Sequence, residues 1–221
     1  MQVLNKLHAF IWTSVNANNC NTYLIDGPTR ILIDPGHAAY FDHVVKGLNE
    51  TGIKPQDIGL VICTHAHPDH MEAIKLFYPK SALFTLHYQE WQFLKTISKK
   101  AGSYFKMDFD SFEPSFFLKA GNLAIKNLNL TIFHVPGHSP GSVAIYWPEN
   151  KVLFTGDLIF KEGLGRTDIP GGNGGLLKKS ILSLKELDIE FLLPGHGEMI
   201  TGADEIKENF KELENYWFKY V

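Results

Sequence analysis

The stretch Thr64-His65-Ala66-His67-Pro68-Asp69-His70 constrains this chain more than any other, because it sets three imidazoles and a carboxylate within six residues, directly after the apolar run Leu60 to Cys63. Side chains of those types at that density have metal binding as their obvious use. An apolar run suited to a strand buried on both faces, delivering the chain straight into such a cluster, calls for a fold whose strand ends open onto a site.

With 221 residues, 44% of them hydrophobic and 20% charged, the chain suits a globular domain, and a single domain over residues 1–221 is expected. The formal net charge is -3, with acidic and basic residues interspersed. No basic stripe suited to a phosphate backbone results, so the expected partner is a small-molecule substrate and no nucleic acid. No apolar run approaches the ~20 residues that span a bilayer, and the segment from Met1 to Phe10 lacks the apolar core of a signal peptide. A soluble cytoplasmic protein with no membrane partner is therefore expected. Cys20 and Cys63 form no Cys-x-x-Cys pair and read as free, buried thiols.

Periodicity divides the chain into two comparable batches of strands and helices. In the first, Ala9 to Val15, Thr22 to Ile25, Arg30 to Ile33, Ile58 to Cys63 and Leu83 to Leu86 read as strands. Phe41, Val44, Val45 and Leu48 share a helix face, Met71, Ile74 and Phe77 suggest a short helix stopped by Pro79, and Trp91, Leu94, Ile97 and Ala101 a longer one. Aromatics then accumulate without periodicity over residues 104–117, which reads as a satellite core or as an apolar wall over a pocket. In the second batch, Leu130 to Val135, Val143 to Trp147, Val152 to Thr155 and Glu190 to Leu193 read as strands. Lys161 to Gly175 reads as a loop, Leu176 to Leu187 as a helix, and Ile206, Phe210, Leu213 and Trp217 mark a last helix. Two sheets packed together with helices outside would satisfy the pattern.

The remaining metal-capable residues fall just past strand ends. Leu130 to Val135 leads through Pro136-Gly137 to His138, Val152 to Thr155 through Gly156 to Asp157, and Glu190 to Leu193 through Pro194-Gly195 to His196. Carboxyl ends of strands are where layered α/β folds gather ligands, since a turn there carries a side chain without disturbing the ladder. Seven groups result: His65, His67, Asp69, His70, His138, Asp157 and His196. A single zinc with an open position would use three of them, whereas seven suit two divalent metals with one carboxylate bridging. Imidazole and carboxylate without thiolate favour zinc and are compatible with iron or manganese.

The string Thr-His-Ala-His-Pro-Asp-His, with Pro-Gly-His-Ser-Pro-Gly-Ser at 136–142, Phe-Thr-Gly-Asp at 154–157, Gly-Arg-Thr-Asp at 165–168 and Pro-Gly-His-Gly at 194–197, resembles the metallo-β-lactamase superfamily. Within it, the chain looks most like the glyoxalase II-like hydrolases. The resemblance implies an α/β fold, the four-layered αβ/βα sandwich of the metallo-β-lactamase type, with metals at one edge between the sheets. It also implies that His65, His67 and His138 hold a first metal, Asp69, His70 and His196 a second, and that Asp157 bridges them.

The expected reaction is hydrolysis of a small thioester or ester by a hydroxide shared between two metals. A thiolate leaves without a dedicated proton donor, whereas an amine needs one, so a thioester suits the site better than an amide. Asp69 is the candidate catalytic residue, as both ligand and orienter of the nucleophile. The rivals are a mononuclear iron persulfide dioxygenase, motivated by the Gly-Arg-Thr-Asp motif that such enzymes share, and, behind it, a nuclease or a lactamase. Asp34, in Asp34-Pro35-Gly36, is expected to brace the site from behind. Arg166 and Asp168 are expected to pair, with substrate binding by Arg166 as the alternative. His8, His37, His43, His87 and His134 match no ligand motif and are expected to be structural or exposed.

Overall fold

The computed structural model describes residues 1–77, 82–101 and 113–221. Within them the elements run β1 (Gln2–Leu4), β2 (Leu7–Phe10), β3 (Thr22–Asp26), β4 (Arg30–Ile33), α1 (Phe41–Glu50), β5 (Leu60–Ile62), α2 (Pro68–Met71), β6 (Leu83–His87), α3 (Tyr88–Ala101) and β7 (Phe116–Leu118). They continue with β8 (Gly121–Ile125), β9 (Leu128–His134), β10 (Val143–Trp147), β11 (Val152–Gly156), β12 (Ile159–Phe160), β13 (Gly163–Leu164), α4 (Gly174–Leu184), β14 (Phe191–Pro194), β15 (Ile200–Thr201) and α5 (Ala203–Asn215). The backbone divides into two compact units, residues 1–118 and residues 119–221.

In the first unit all seven strands join one sheet in sequence order, antiparallel from β1 to β4 and parallel from β4 to β7. The change of sense follows from the connections: short turns link β1 to β2 and β3 to β4 and a loop over 11–21 links β2 to β3, while helical segments carry the chain back between the later strands. β4 and β5 are buried on both faces, Ile31, Leu32 and Val61 showing no exposure, as their unbroken apolar runs require. One face packs against helices: Phe41, Val44 and Leu48 of α1 and Trp91 and Leu94 of α3 share a core cluster with Leu24, Leu32, Val61, Phe84 and Leu86. Each such side chain contributes about 1.5–3 kcal/mol when fully buried.

The second unit forms a six-stranded sheet in the order β15-β14-β11-β10-β9-β8, with only the β11–β14 pair parallel. That pair is parallel because α4 crosses between them. Leu177, Ile181 and Leu184 of α4 and Ile206, Phe210 and Leu213 of α5 pack with Ala144, Tyr146, Leu153 and Leu192 from one sheet face.

Several features depart from expectation, among them Trp217, which lies past the end of α5 in a 3-10 turn. The first apolar run pairs only over Leu7–Phe10; from Trp12 the chain leaves the sheet, and Val15 is 96% exposed. Asn21 Oδ1 accepts from the Trp12 backbone N–H, and Ala17 O accepts from Trp12 Nε1, so local partners replace the ladder. Through His70 the chain makes one α-turn, Pro68–Met71, and then a 3-10 turn over Glu72–Leu76, not a continuous α-helix. Within the glycine-rich segment 161–175, Gly163–Leu164 pairs with Ile159–Phe160 as a small ribbon. α4 begins at Gly174, ahead of the expected Leu176, because Asn173 caps it by accepting from Leu176 N. Pro79 and most of the aromatic stretch, Tyr104, Phe105, Phe109 and Phe112, lie outside the described residues, while Phe116 and Phe117 fall in β7 and Phe117 packs against the core of the first unit. Among the described residues no helix is long and apolar enough to cross a membrane.

Candidate metal centre

In the first unit, β5 ends at Ile62 and the chain passes through Cys63 and Thr64 into the cluster, with His67 and Pro68 opening α2. The structure brings His65, His67, Asp69 and His70 together. The His65 ring lies 4.6 Å from that of His67 and 4.0 Å from that of His70, centroid to centroid, and Asp69 Oδ2 is 4.0 Å from His70 Nε2. His65, Asp69 and His70 are buried, and His67 is half-buried.

One carboxylate organises this half. Asp34 follows β4, is 2% exposed, and adopts φ +52°, an uncommon value for a residue with a side chain. Its Oδ1 accepts from the Thr64 backbone N–H at 2.7 Å, and its Oδ2 from the Thr64 hydroxyl at 2.7 Å and from His70 Nδ1 at 2.9 Å. Having donated its proton to Asp34, Thr64 Oγ1 accepts from His65 Nδ1 at 3.1 Å. Both imidazoles are therefore protonated on Nδ1, and their lone pairs lie on Nε2, the form a metal requires. The bracing expected of Asp34 is what the geometry shows. Burial pushes the Cys63 thiol well above its ordinary range, with the Asp34 charge adding to this, so it stays protonated behind the site.

In the second unit the structure brings His138, Asp157 and His196 together. Asp157 Oδ2 lies 3.5 Å from His138 Nε2 and 3.4 Å from His196 Nε2. Donor atoms 2.0–2.1 Å from a tetrahedral zinc stand about 3.4 Å apart along an edge of the tetrahedron. A carboxylate oxygen at that spacing from two imidazole nitrogens can share a metal with either of them. The donor set and its spacing thus fit divalent metal.

His138 is aimed by its surroundings. Gly137 has φ +147° and lies so close to the first turn of α4 that a Cβ would overlap Leu177, while Pro136 O accepts from Ser180 Oγ at 2.7 Å and Gly137 O from Asn173 N at 2.7 Å. His138 Nδ1 donates to the carbonyl of Arg166 at 2.8 Å, which again leaves the lone pair on Nε2. Gly165 lets that loop pass against Asp157, whose carbonyl a Cβ would overlap. The Arg166 guanidinium forms a two-pronged bond with Asp168, at 2.9 and 3.0 Å, and both side chains are 71% exposed. Phe160 sets its ring edge-on to His196, at 6.1 Å between centroids.

The structure also places residues at the cluster that sequence reasoning did not single out. Asn18 Nδ2 donates to Asp69 Oδ2 at 2.7 Å, and the buried Glu90 on α3 accepts from Ala66 N at 3.0 Å. A run of asparagines at 18, 19 and 21 was a signal for the first; a lone glutamate in a helix gave none for the second. The histidines outside the motifs have other engagements: His37 Nδ1 lies 3.0 Å from Glu72, His134 Nε2 donates to Pro140 O, His87 Nδ1 accepts from Gln89 N, and His43 packs edge-on against Trp12.

The sequence profile described as the Metallo-beta-lactamase superfamily matches residues 15–196. The chain belongs to the metallo-β-lactamase superfamily. It is 37% identical over 185 residues to a probable metallo-hydrolase of Methanocaldococcus jannaschii, an alignment that spans 81% of this chain and 88% of the relative. It is 29% identical over 198 residues to the hydroxyacylglutathione hydrolase GloC of Haemophilus influenzae, spanning 86% and 91%. The crystal structure of TTHA1623 in a di-iron-bound form superposes with a TM-score of 0.68 at 28% identity, covering 89% of this chain and 92% of that one. The fold is the α/β sandwich of this superfamily, built from mixed sheets and helices, and the chain is a superfamily member of the metallo-hydrolase kind with a histidine and aspartate cluster suited to metal.

Proposed function

We propose that this protein is a dinuclear metal-dependent hydrolase of a small thioester or ester. The observation that carries the reading is the single Asp157 oxygen at 3.4 and 3.5 Å from two imidazole nitrogens, the place of a bridge. On this reading His65, His67 and His138 would hold one metal and Asp69, His70 and His196 the other, with Asp157 available to both. Two divalent cations held there would supply Lewis acidity, lowering the pKa of water toward ~7 and stabilising charge on the attacked carbonyl.

The chain's own residues supply orientation. Asp34, through His70 directly and through Thr64 to His65, keeps one ligand of each metal in the Nε2 form, and the Arg166 carbonyl does so for His138. Asp69 would orient the attacking water by accepting a hydrogen bond from its O–H. Among the groups assigned here none is a dedicated acid for the leaving group, which suits a thiolate. The likeness to GloC supports the thioester class. Zinc is the proposed metal, with iron the alternative that the di-iron relative supports. Arg166 already engages Asp168, so substrate contact through it would require that pair to open. The acidic balance of the chain supports a small substrate over nucleic acid.

The test is elemental analysis of the protein as purified, then zinc-loaded protein against a panel of thioesters, β-lactams and phosphodiesters, with the as-purified and iron-loaded protein run in parallel on a persulfide in an oxygen electrode. Release of one thiol per acid from the thioesters, with no oxygen uptake, is expected. Oxygen consumption by protein holding one iron per chain overturns the hydrolase reading in favour of a persulfide dioxygenase.

A further inference from the structure

Three asparagines stand within four residues, Asn18, Asn19 and Asn21, and the structure gives them different work. Asn19 is buried and its Oδ1 accepts from His37 N at 2.8 Å, mooring the loop to the turn after β4. Asn21 is buried at the threshold of β3, and its Oδ1 accepts from Trp12 N at 3.0 Å. The Trp12 indole closes the loop by donating to Ala17 O at 2.8 Å, and Cys20 N donates to Asp69 O at 3.3 Å. Between these moorings stands Asn18. It is exposed, and its amide donates to Asp69 Oδ2 at 2.7 Å.

An exposed side chain that reaches a buried carboxylate adds little to the core, so its bond to Asp69 has another consequence. A carboxylate at the start of a short helix keeps freedom about its last torsion unless a donor fixes it. The amide N–H fixes it, and because an amide donates without carrying charge it leaves the negative charge on the carboxylate for a cation or a water. The loop is moored on either side of that bond: both neighbours of Asn18 are tied through their own backbone or side chain.

We infer that Asn18 is a positioning residue that sets the carboxylate plane of Asp69 and thereby the geometry of the proposed second metal and its water. The inference rests on the hydrolase reading for its consequence in turnover, and for its consequence in metal binding on the Asn18 to Asp69 bond together with Asp69 as a metal ligand.

The experiment compares wild type with Asn18→Ala, Asn18→Asp and Asn18→Gln, each stripped of metal and titrated with Co2+ and then Zn2+, followed by steady-state kinetics on the best thioester. Asn18→Ala is expected to weaken the second binding event or lower kcat by about 10–100-fold, the usual effect of losing a hydrogen bond behind a ligand. KM and thermal stability are expected to stay within a factor of two and a few degrees of wild type. The Co2+ absorption bands of the second site are expected to change shape. Asn18→Asp, which sets a like charge against Asp69, is expected to be worse, and Asn18→Gln, which keeps a donor on a longer arm, to recover part of the loss. If Asn18→Ala matches wild type in second-site affinity, Co2+ spectrum and kcat, the inference is overturned, as it is if alanine and glutamine behave alike. Wild type that binds two metals but hydrolyses no thioester refutes the function reading only, because affinity and spectrum still decide the role of Asn18. Wild type that binds no divalent metal overturns both.

Discussion

Nδ1 of His70 donates to Oδ2 of Asp34 across 2.9 Å, with the His70 side chain fully buried and that of Asp34 nearly so. The same carboxylate takes two donors from Thr64, and Thr64 takes one from His65, so a single residue 30 positions upstream of the cluster fixes two of its imidazoles. Replacing it has graded consequences. Asp34→Ala strands three buried donors, each costing about 1–3 kcal/mol, and also gives up a side chain that tolerates the left-handed backbone at φ +52°. Unfolding by urea should show a loss of several kcal/mol, and zinc affinity should fall about 10–100-fold. Asp34→Asn keeps one acceptor and a residue at ease in that backbone region, so it should lose less on both measures.

The loop 165–168 separates backbone from side-chain roles. Gly165→Ala should drive the loop off Asp157 and carry away the carbonyl that holds His138 Nδ1, lowering metal affinity about tenfold or more. Arg166→Ala removes only an exposed ion pair and leaves that carbonyl in place, so affinity should be retained. Zinc titration of the two variants side by side checks this; equal losses would place the importance in the guanidinium.

Asp69→Asn keeps the shape of the side chain and its contact surface but loses the charge that orients water. Turnover should fall about 10²–10⁴-fold while the protein still takes up metal. Kinetics combined with elemental analysis of the same sample decides it, and full activity with both metals present would remove Asp69 from the reaction.

His8, on β2, gives the fold a pH dependence away from the metals. Burial, opposed by the Asp26 charge and assisted by the N-terminal ammonium, holds its imidazole below the ordinary 6.5. Below 6.5 the unfolded chain binds this proton while the folded one resists it, so the unfolded state holds more protons and stability falls as the pH falls. The contribution is complete above 6.5 and is lost as the pH drops through the lowered folded value. Wild type should therefore lose stability relative to His8→Gln between pH 7.5 and pH 5, measured by urea unfolding.

Much of this arrangement was legible in the residues because it rests on period and on side-chain type. The α1 face of Phe41, Val44 and Leu48 and the two-faced burial of β4 and β5 follow from spacing alone. Gly137, at the turn that aims His138, is readable because only glycine fits both its φ and its approach to Leu177. What escaped rests on partners that leave no mark in the sequence. The acceptor that sets His138 is a backbone carbonyl, and any residue at 166 would provide one. The departure of Trp12 to Val15 from the sheet depends on Asn21 and Ala17 capturing the tryptophan's donors, against an apolar pattern that favoured a strand. Glu90 sits on α3 with nothing around it in sequence to show that Ala66 N would be its donor.

The central claim is that three residues from 138, 157 and 196 join four from 65 to 70 in holding two metals. Its most direct measurement is the metal-to-protein ratio of stripped protein re-equilibrated with zinc and freed of excess, taken for wild type and for Asp157→Ala. The account predicts two zinc ions per chain in wild type, and in Asp157→Ala weakened binding at both sites at once. A ratio of one in wild type, or an Asp157→Ala protein that still binds two zinc ions as tightly, would contradict it.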